Sequence, residues 1–380
     1  MKKILVVGLC IFKLAIAVVA AQKDKDTLIK TDNLDEVIVK GKRKLRKTLP
    51  YKKVTALKER VYSFDSYVVN DALYVFGGDV SSTNNRGKGM VEATAGVGVG
   101  TLEKFVKLLR RFKSNTNEYS DELQVFDLKS KEWIKNKVAL SNRAYHNVNY
   151  YDGNFYVLGG KRLSKNKRFE YLNDKIEIVN IDSLSTQVDD TNPHQAINFA
   201  SDVYKNYLVV MGGSSKKSAK SAVKYSNKTH FFDLKTGLWY KLPDMPVAKE
   251  GKGVLVRHKF FLIGGYNGKE LAGIESFDFV SGEWKKEMNL PLPMKKPGLA
   301  ASKEQIFIYD KNVILVYDTR KDEMRKYYIG VELEESNLHI YQEALYIVGG
   351  FTKNEFAKEP SGNIYKIDLK EFNKTEFDSF

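Results

Sequence analysis

The chain has 380 residues, 43% of them hydrophobic and 29% charged, a composition that describes a folded protein and excludes a disordered one. It carries 62 Lys and Arg against 47 Asp and Glu, a formal charge of +15, so anionic partners are expected. The single cysteine, Cys10, excludes an internal disulfide framework and any cysteine-rich zinc site.

Residues 1–21 have the layout of a signal peptide. Lys2 and Lys3 precede an apolar run from Ile4 to Ala21 that ends in Val19, Ala20 and Ala21, with cleavage expected after Ala20 or Ala21. Lys13 stands inside the run, where a charge costs about 3 kcal/mol in a membrane-spanning helix, and this argues against a retained anchor. The expected location is therefore periplasmic, outer-membrane-associated or secreted, with no cysteine left in the mature chain. Residues 22–54 read as a linker, polar and then basic. It contains the segment Leu34-Asp-Glu-Val-Ile-Val39, which resembles the stretch leading into the plug domain of bacterial TonB-dependent transporters. Lys40, Lys42, Arg43 and Lys44 follow with no acid between them and suit contact with envelope lipid.

From residue 55 onward one unit recurs. An apolar run ending in paired glycines occurs at Leu73–Gly78, Phe155–Gly160, Leu208–Gly213, Phe260–Gly265 and Leu345–Gly350. A second element follows at Phe126–Trp133, Phe232–Trp239 and Phe277–Trp284, with weaker copies starting at Val179, Tyr317 and Ile367, and all three tryptophans share one position in it. These six anchors define six units. The fifth has lost its glycines, because Ile306–Asp310 stands where the pair belongs. Each unit reads as four short strands with tight turns at Asn70-Asp71, Asp152–Asn154, Lys205-Asn206 and His258-Lys259. One such sheet has two faces to bury, and six packed radially bury both.

Paired glycines, a hydrophobic residue before Asp, and Trp in that order resemble the kelch repeat, of the exported bacterial type, over residues 55 to 380. The resemblance implies an all-β fold, a six-bladed β-propeller of four-stranded antiparallel blades around a channel, with the glycines and tryptophans in structural roles. The ring is expected to close through the chain ends, either by Lys374–Phe380 or by the segment around Thr48 to Val54.

The length variation falls on the loops after the glycine pairs, so that end of the propeller is the candidate binding face. The longest loop, 79–118, contains Leu102–Lys113, in which apolar residues at helical spacing predict a basic amphipathic helix inserted in the first blade. Basic and aromatic residues are interleaved along this end. Lys161, Arg162, Lys216, Lys217, Tyr266 and Phe351 are the expected binding residues for an anionic glycan or an envelope protein, with nucleic acid set aside because of export.

No cofactor and no metal are expected. The copper oxidases of the kelch family need a Cys-Tyr crosslink, which a cysteine-free mature chain cannot make. The alternative is a weak resemblance to N-acetylneuraminate epimerase-like kelch proteins, which implies a sugar mutarotase acting on an acidic monosaccharide. Arg143, His146 and Glu250 are then the catalytic candidates, since the reaction needs a proton-transfer group and a cation for the sugar carboxylate. The balance of the reading leans toward a binding module and away from an enzyme.

Overall fold

A computed structural model describes residues 44–84, 118–138, 140–167, 169–216, 221–354 and 357–380. The six units are six blades of a propeller. The inner strands are Asp65–Val69, Asn147–Tyr151, Ala200–Tyr204, Glu250–Val256, Gly298–Ser302 and Asn337–Tyr341. Each pairs antiparallel with the apolar run that follows it, and in blades 1 to 4 the Phe-Asp strand, or its Ile-Glu-Ile-Val equivalent in blade 2, and a fourth strand complete the sheet. The turns after the inner strands are tight because their residues adopt left-handed conformations, as at Asn70 and Asp71 (φ 49° and 61°) and Gln342 and Glu343 (φ 45° and 58°). In blade 4 the turn is Arg257-His258, one residue earlier than expected, because Lys259 already pairs with Val256.

Six hydrophobic clusters fill the seams, one between each pair of neighbouring blades. Phe155, for instance, meets Tyr67, Tyr74 and Phe76 of blade 1 and Tyr150 of its own blade at ring-centroid distances of 4.7–6.2 Å. Each Trp packs on the Phe of its own unit, and two of the three reach the preceding linker: Trp239 Nε1 donates to Thr191 Oγ1 and Trp284 Nε1 to the Pro243 carbonyl. The glycine pairs let a blade approach the lead-in backbone of the next one. A Cβ on Gly212 (φ +72°) would lie 2.7 Å from the Lys249 carbonyl oxygen, and one on Gly159 (φ +67°) 2.9 Å from that of Ala196.

The ring closes through its N-terminal side. Lys52–Ala56 is the outermost strand of blade 6, antiparallel to Asn363–Asp368. Leu49, 1% exposed, is buried with Ile329, Val331 and Phe372 between blades 5 and 6. The ring therefore takes in residues assigned above to the linker. The C-terminal strand Asp378–Ser379 does not close blade 6 but adds to blade 5, pairing with Arg325 and Lys326. Blade 5 is also distinct on its loop side. Its second and third strands run on as Gln305–Asp318, with Lys311 at φ +55° between the half paired to Gly298–Ser302 and the half paired to Glu323–Leu333. A lost glycine pair thus goes with a lost loop. The predicted helix at Leu102–Lys113 lies outside the described residues.

Leu49→Ala is expected to lower stability by about 2–5 kcal/mol, because the seam it fills joins the closing segment to blade 5. Urea unfolding followed by tryptophan fluorescence checks this.

Candidate functional site

Among the described residues no inner strand forms a ladder with its neighbour, so side chains join them around the channel. Asp65 Oδ2 accepts from the Val148 amide at 2.7 Å and Asp202 Oδ2 from the Leu255 amide at 2.9 Å. Asn147 Nδ2 donates to the Phe199 carbonyl at 2.7 Å, and Asn337 Nδ2 to Asp65 Oδ1 at 3.1 Å. His339 Nε2 meets Ser66 Oγ at 2.8 Å, and burial together with the nearby Lys252 ammonium depresses its pKa to about 3. Lys252 reaches across from blade 4 to Asn337 Oδ1 (3.4 Å) and Asp65 Oδ1 (3.8 Å). The channel within this belt has a volume of about 270 Å³.

Toward the loop end the channel narrows to a space of about 10 Å³ bounded by Ser63, Tyr145, Asn198, Lys296 and Glu335. Four of these, Ser63, Tyr145, Asn198 and Glu335, hold φ between 49° and 63° although none is glycine. Such conformations cost of order 1 kcal/mol or more each and aim lead-in side chains at the mouth. Glu335 accepts from Lys296 Nζ and Ser63 Oγ, both at 2.7 Å, which ties blades 5, 6 and 1 together. Burial acts to raise the Glu335 pKa, but Lys296 and Lys358 overcome it and hold the carboxylate at about 2.

Tyrosines and lysines continue outward from this point. The Tyr145 hydroxyl donates to Asp79 Oδ2 at 3.0 Å, and Lys161 and Lys296 lie 5.4 and 5.5 Å from the Tyr145 ring centre. Tyr119 donates to Glu170 Oε1 at 2.6 Å, and Lys161 pairs with Glu170 Oε2 at 3.1 Å. Lys358 Nζ sits 3.7 Å from the Tyr62 ring centre and 3.9 Å from that of Phe351, the two rings being edge to face. Burial lowers its pKa to about 8, with Glu335 opposing that shift. A ligand carboxylate or sulfate arriving here meets ammonium groups already partly dehydrated and held by ring faces.

The expected binding residues are spread around this rim. Lys161 belongs to the cluster; Arg162 lies 5.2 Å from the Tyr171 ring centre on the blade 2 ribbon formed by Lys161–Leu163 and Glu170–Leu172. Tyr266 carries Lys295 at 4.5 Å and meets Tyr225 edge to face. Lys216 is exposed, and Phe351 is buried beneath Lys358. Lys44 is exposed; Lys40, Lys42, Arg43 and Lys217 lie outside the described residues.

The catalytic candidates are placed differently. Arg143 is 1% exposed, pairs with Glu177 Oε2 at 2.6 Å and donates to the Val157 carbonyl at 3.0 Å. Lys249 repeats this in blade 4, pairing with Glu275 Oε2 at 2.5 Å and donating to the Gly264 carbonyl at 2.7 Å. Glu250 is buried and accepts from Ser214 Oγ (2.5 Å) and Asn198 Nδ2 (3.0 Å). His146 is buried with its pKa well below the usual imidazole range, because burial and then Arg143 and Lys252 disfavour its cation. Arg143 and Glu250 therefore spend their bonds on separate scaffold partners. His194 and His230 meet through their Nδ1 atoms at 3.0 Å. His194 Nε2 donates to the Gly212 carbonyl at 2.8 Å, so in neutral His194 the Nδ1 atom accepts and His230 Nδ1 donates. No group of three or more His, Cys, Asp or Glu able to hold a metal occurs among the described residues.

Sequence reasoning missed Tyr62, Tyr119, Tyr145, Lys296, Glu335 and Lys358. Most of them lie just before an inner strand, outside the repeated elements, and a signal was available in the recurrence of these short lead-ins before each copy.

A family model described as the Kelch motif matches residues 197–246 and 253–291. Human Kelch-like protein 38 is 25% identical over 170 residues, 41% of this chain and 29% of that protein, so the chain spans under a third of that relative's length. The solved structure of YjhT superposes with a TM-score of 0.60 at 14% identity, over 81% of this chain and 95% of the other. That likeness is one of fold.

Arg143→Met is expected to destabilise the propeller by about 3–5 kcal/mol by stranding Glu177, whereas Arg143→Met with Glu177→Leu recovers much of the loss; urea unfolding of the two variants checks this. The buried imidazoles add a pH dependence. His194 has a pKa depressed by burial to about 4 and His339 to about 3, both below the unfolded value of about 6.5. Their contribution to stability is thus complete above pH ~6.5 and is lost as pH falls from there toward those folded values. The urea midpoint is expected to fall between pH 7.5 and 5.0, and to fall less in His194→Gln.

Proposed function

We propose that this member of the kelch-repeat propeller family is a binding module whose loop face receives an anionic ligand, an acidic glycan or an acidic surface of an envelope protein. The observation that carries this reading is the convergence of Lys161, Lys296 and Lys358 on the Tyr62, Tyr145 and Phe351 rings at the channel mouth. Flat apolar surfaces stack on sugar rings, while ammonium groups pair with carboxylate or sulfate. Export, expected from the leader, would bring this face to a periplasmic or extracellular ligand, with the basic linker available to anionic lipid.

The mutarotase reading has one feature in its favour, the Lys296–Glu335 pair at the mouth. A carboxylate held near pKa 2 is a weak base, however, and proton transfer works best when the catalytic pKa lies near the working pH. Arg143 and Glu250 do not form the facing cation and carboxylate that the sugar would need. Binding is therefore the reading this arrangement supports.

A glycan array probed at about 0.1 M and about 1 M salt tests it, because the Debye length shrinks from ~10 to ~3 Å over that range. Retention of sialylated, uronate-containing or sulfated glycans is expected at low salt, with a marked loss at high salt and in the Lys296→Ala/Lys358→Ala variant. Anomer exchange of N-acetylneuraminate and glucuronate, followed by NMR, is expected to run at the uncatalysed rate. Acceleration by the parent protein that disappears in Glu335→Gln would establish the enzyme instead.

A further inference from the structure

At the throat, buried polar atoms of two side chains have no hydrogen-bond partner among the described residues: both ring nitrogens of His146, and Oδ1 of Asn198. His146 is 3% exposed, and both residues line the space of about 10 Å³ where the channel narrows. That is roughly the room one water-sized group requires. Buried polar atoms are nearly always paired, so a donor and an acceptor left over around one small space point to a ligand atom.

The other polar groups of the throat are engaged. Glu335 accepts from Ser63 Oγ and Lys296 Nζ, the Tyr145 hydroxyl goes to Asp79, and the Asn147 and Asn337 amides go to the Phe199 carbonyl and Asp65. Asn198 Nδ2 donates to the Glu250 carboxylate at 3.0 Å, a group that accepts and cannot donate. This fixes the orientation of the amide and makes Oδ1 the atom still to be satisfied. The Phe76 carbonyl acts on the His146 ring from nearby, yet neither nitrogen completes a hydrogen bond. Burial, with Arg143 and Lys252 adding to it, keeps that ring neutral, so it presents one N–H and one lone pair.

A group that fits here has a tip one heavy atom wide, donates to Asn198 Oδ1 and accepts from His146. A hydroxyl does both. A carboxylate or sulfate is too large and has no proton to give. An ammonium cannot accept, and Lys252 and Lys296 on the same walls repel it; a methyl leaves both groups unpaired. A secondary hydroxyl carries carbon on both sides, so the end of a chain enters most readily. Lys296 and Tyr145 line the throat and also belong to the lysine and tyrosine rim, so the two features adjoin. We propose that the throat is a hydroxyl subsite: the ligand of the loop face is a sugar acid with a primary-alcohol arm, whose terminal hydroxyl donates to Asn198 and accepts from His146 while its carboxylate stays at the lysines. This rests on the anionic-ligand reading above and narrows it, ranking uronic and sulfated groups without such an arm below these hydroxy acids.

Ligand-observed NMR titration of the full chain with three open-chain acids tests it. D-Gluconate ends in a primary alcohol, 6-deoxy-D-gluconate in a methyl and D-glucarate in a second carboxylate. Gluconate is expected to bind about tenfold more tightly than either, the scale of one buried hydrogen-bonding group left unpaired. The order against glucarate is informative because the charge of the rim by itself favours the dianion. In His146→Phe, and in Asn198→Gly, which tolerates the left-handed backbone of that position (φ 52°), the preference for gluconate is expected to disappear. In Lys296→Ala/Lys358→Ala all three acids are expected to weaken together. Thermal unfolding identifies the folded variants, and the ranking on the parent protein decides even where a variant does not fold. Equal affinity for gluconate and its 6-deoxy analogue, tighter binding of glucarate, or a gluconate preference that survives in folded His146→Phe or Asn198→Gly overturns the hydroxyl subsite and leaves the anionic reading standing. Failure of all three acids to bind overturns both.

Discussion

Everything in this molecule depends on closing a ring whose inner strands do not pair with one another. Each blade is its own sheet, and the seams between blades are held by apolar packing, a belt of side-chain hydrogen bonds and single backbone hydrogen bonds at the lead-ins, such as Gly78 N–H to the Arg143 carbonyl and Gly213 N–H to that of Lys249. The pairing of Lys52–Ala56 with Asn363–Asp368 is where a backbone ladder joins the start of the ring to its end. Leu49 and the seam between blades 5 and 6 then bury the approach to that strand. Had the C-terminus closed the ring, residues 369–380 would have been committed to blade 6. Instead they shape the base of blade 5.

Buried charge serves two purposes that look alike in one dimension. Arg143–Glu177 and Lys249–Glu275 occupy the same place in blades 2 and 4, each cation also binding a carbonyl at the end of the second strand. They hold a lead-in segment against its blade. Lys296–Glu335 also joins a lead-in to its neighbours, but at the channel mouth, beside Tyr145 and close to Lys358. The first kind is enclosed by protein, and a ligand would have to break the scaffold to use it. The second borders the rim, where a ligand can add to an existing network.

The two ends of the propeller offer different chemistry. On the loop end, lysines lie over tyrosine faces around a narrow throat, which suits flat, negatively charged groups approaching from outside. On the turn end, Lys303 and Lys370 border a groove over the buried Phe307, Tyr327 and Phe372. A chain with a formal charge of +15 thus distributes its excess over separate surfaces.

The amino-acid sequence determined the fold by itself, because a blade is a local object. The glycine pairs, the residue before Asp and the Trp recur within about fifty residues, and their spacing alone counts the blades; even the degenerate fifth copy was countable from Tyr317 and Met324. The division into a loop end and a turn end was legible from length variation. What only the tertiary structure decided was anything set between distant segments. Which end closes the ring, whether Arg143 faces a ligand or Glu177, and that Lys358 meets Tyr62 depend on residues brought together from different blades or different strands. The reason is physical: strand periodicity and turn chemistry act over a few residues, whereas burial and ion pairing depend on neighbours that exist only once the ring has formed.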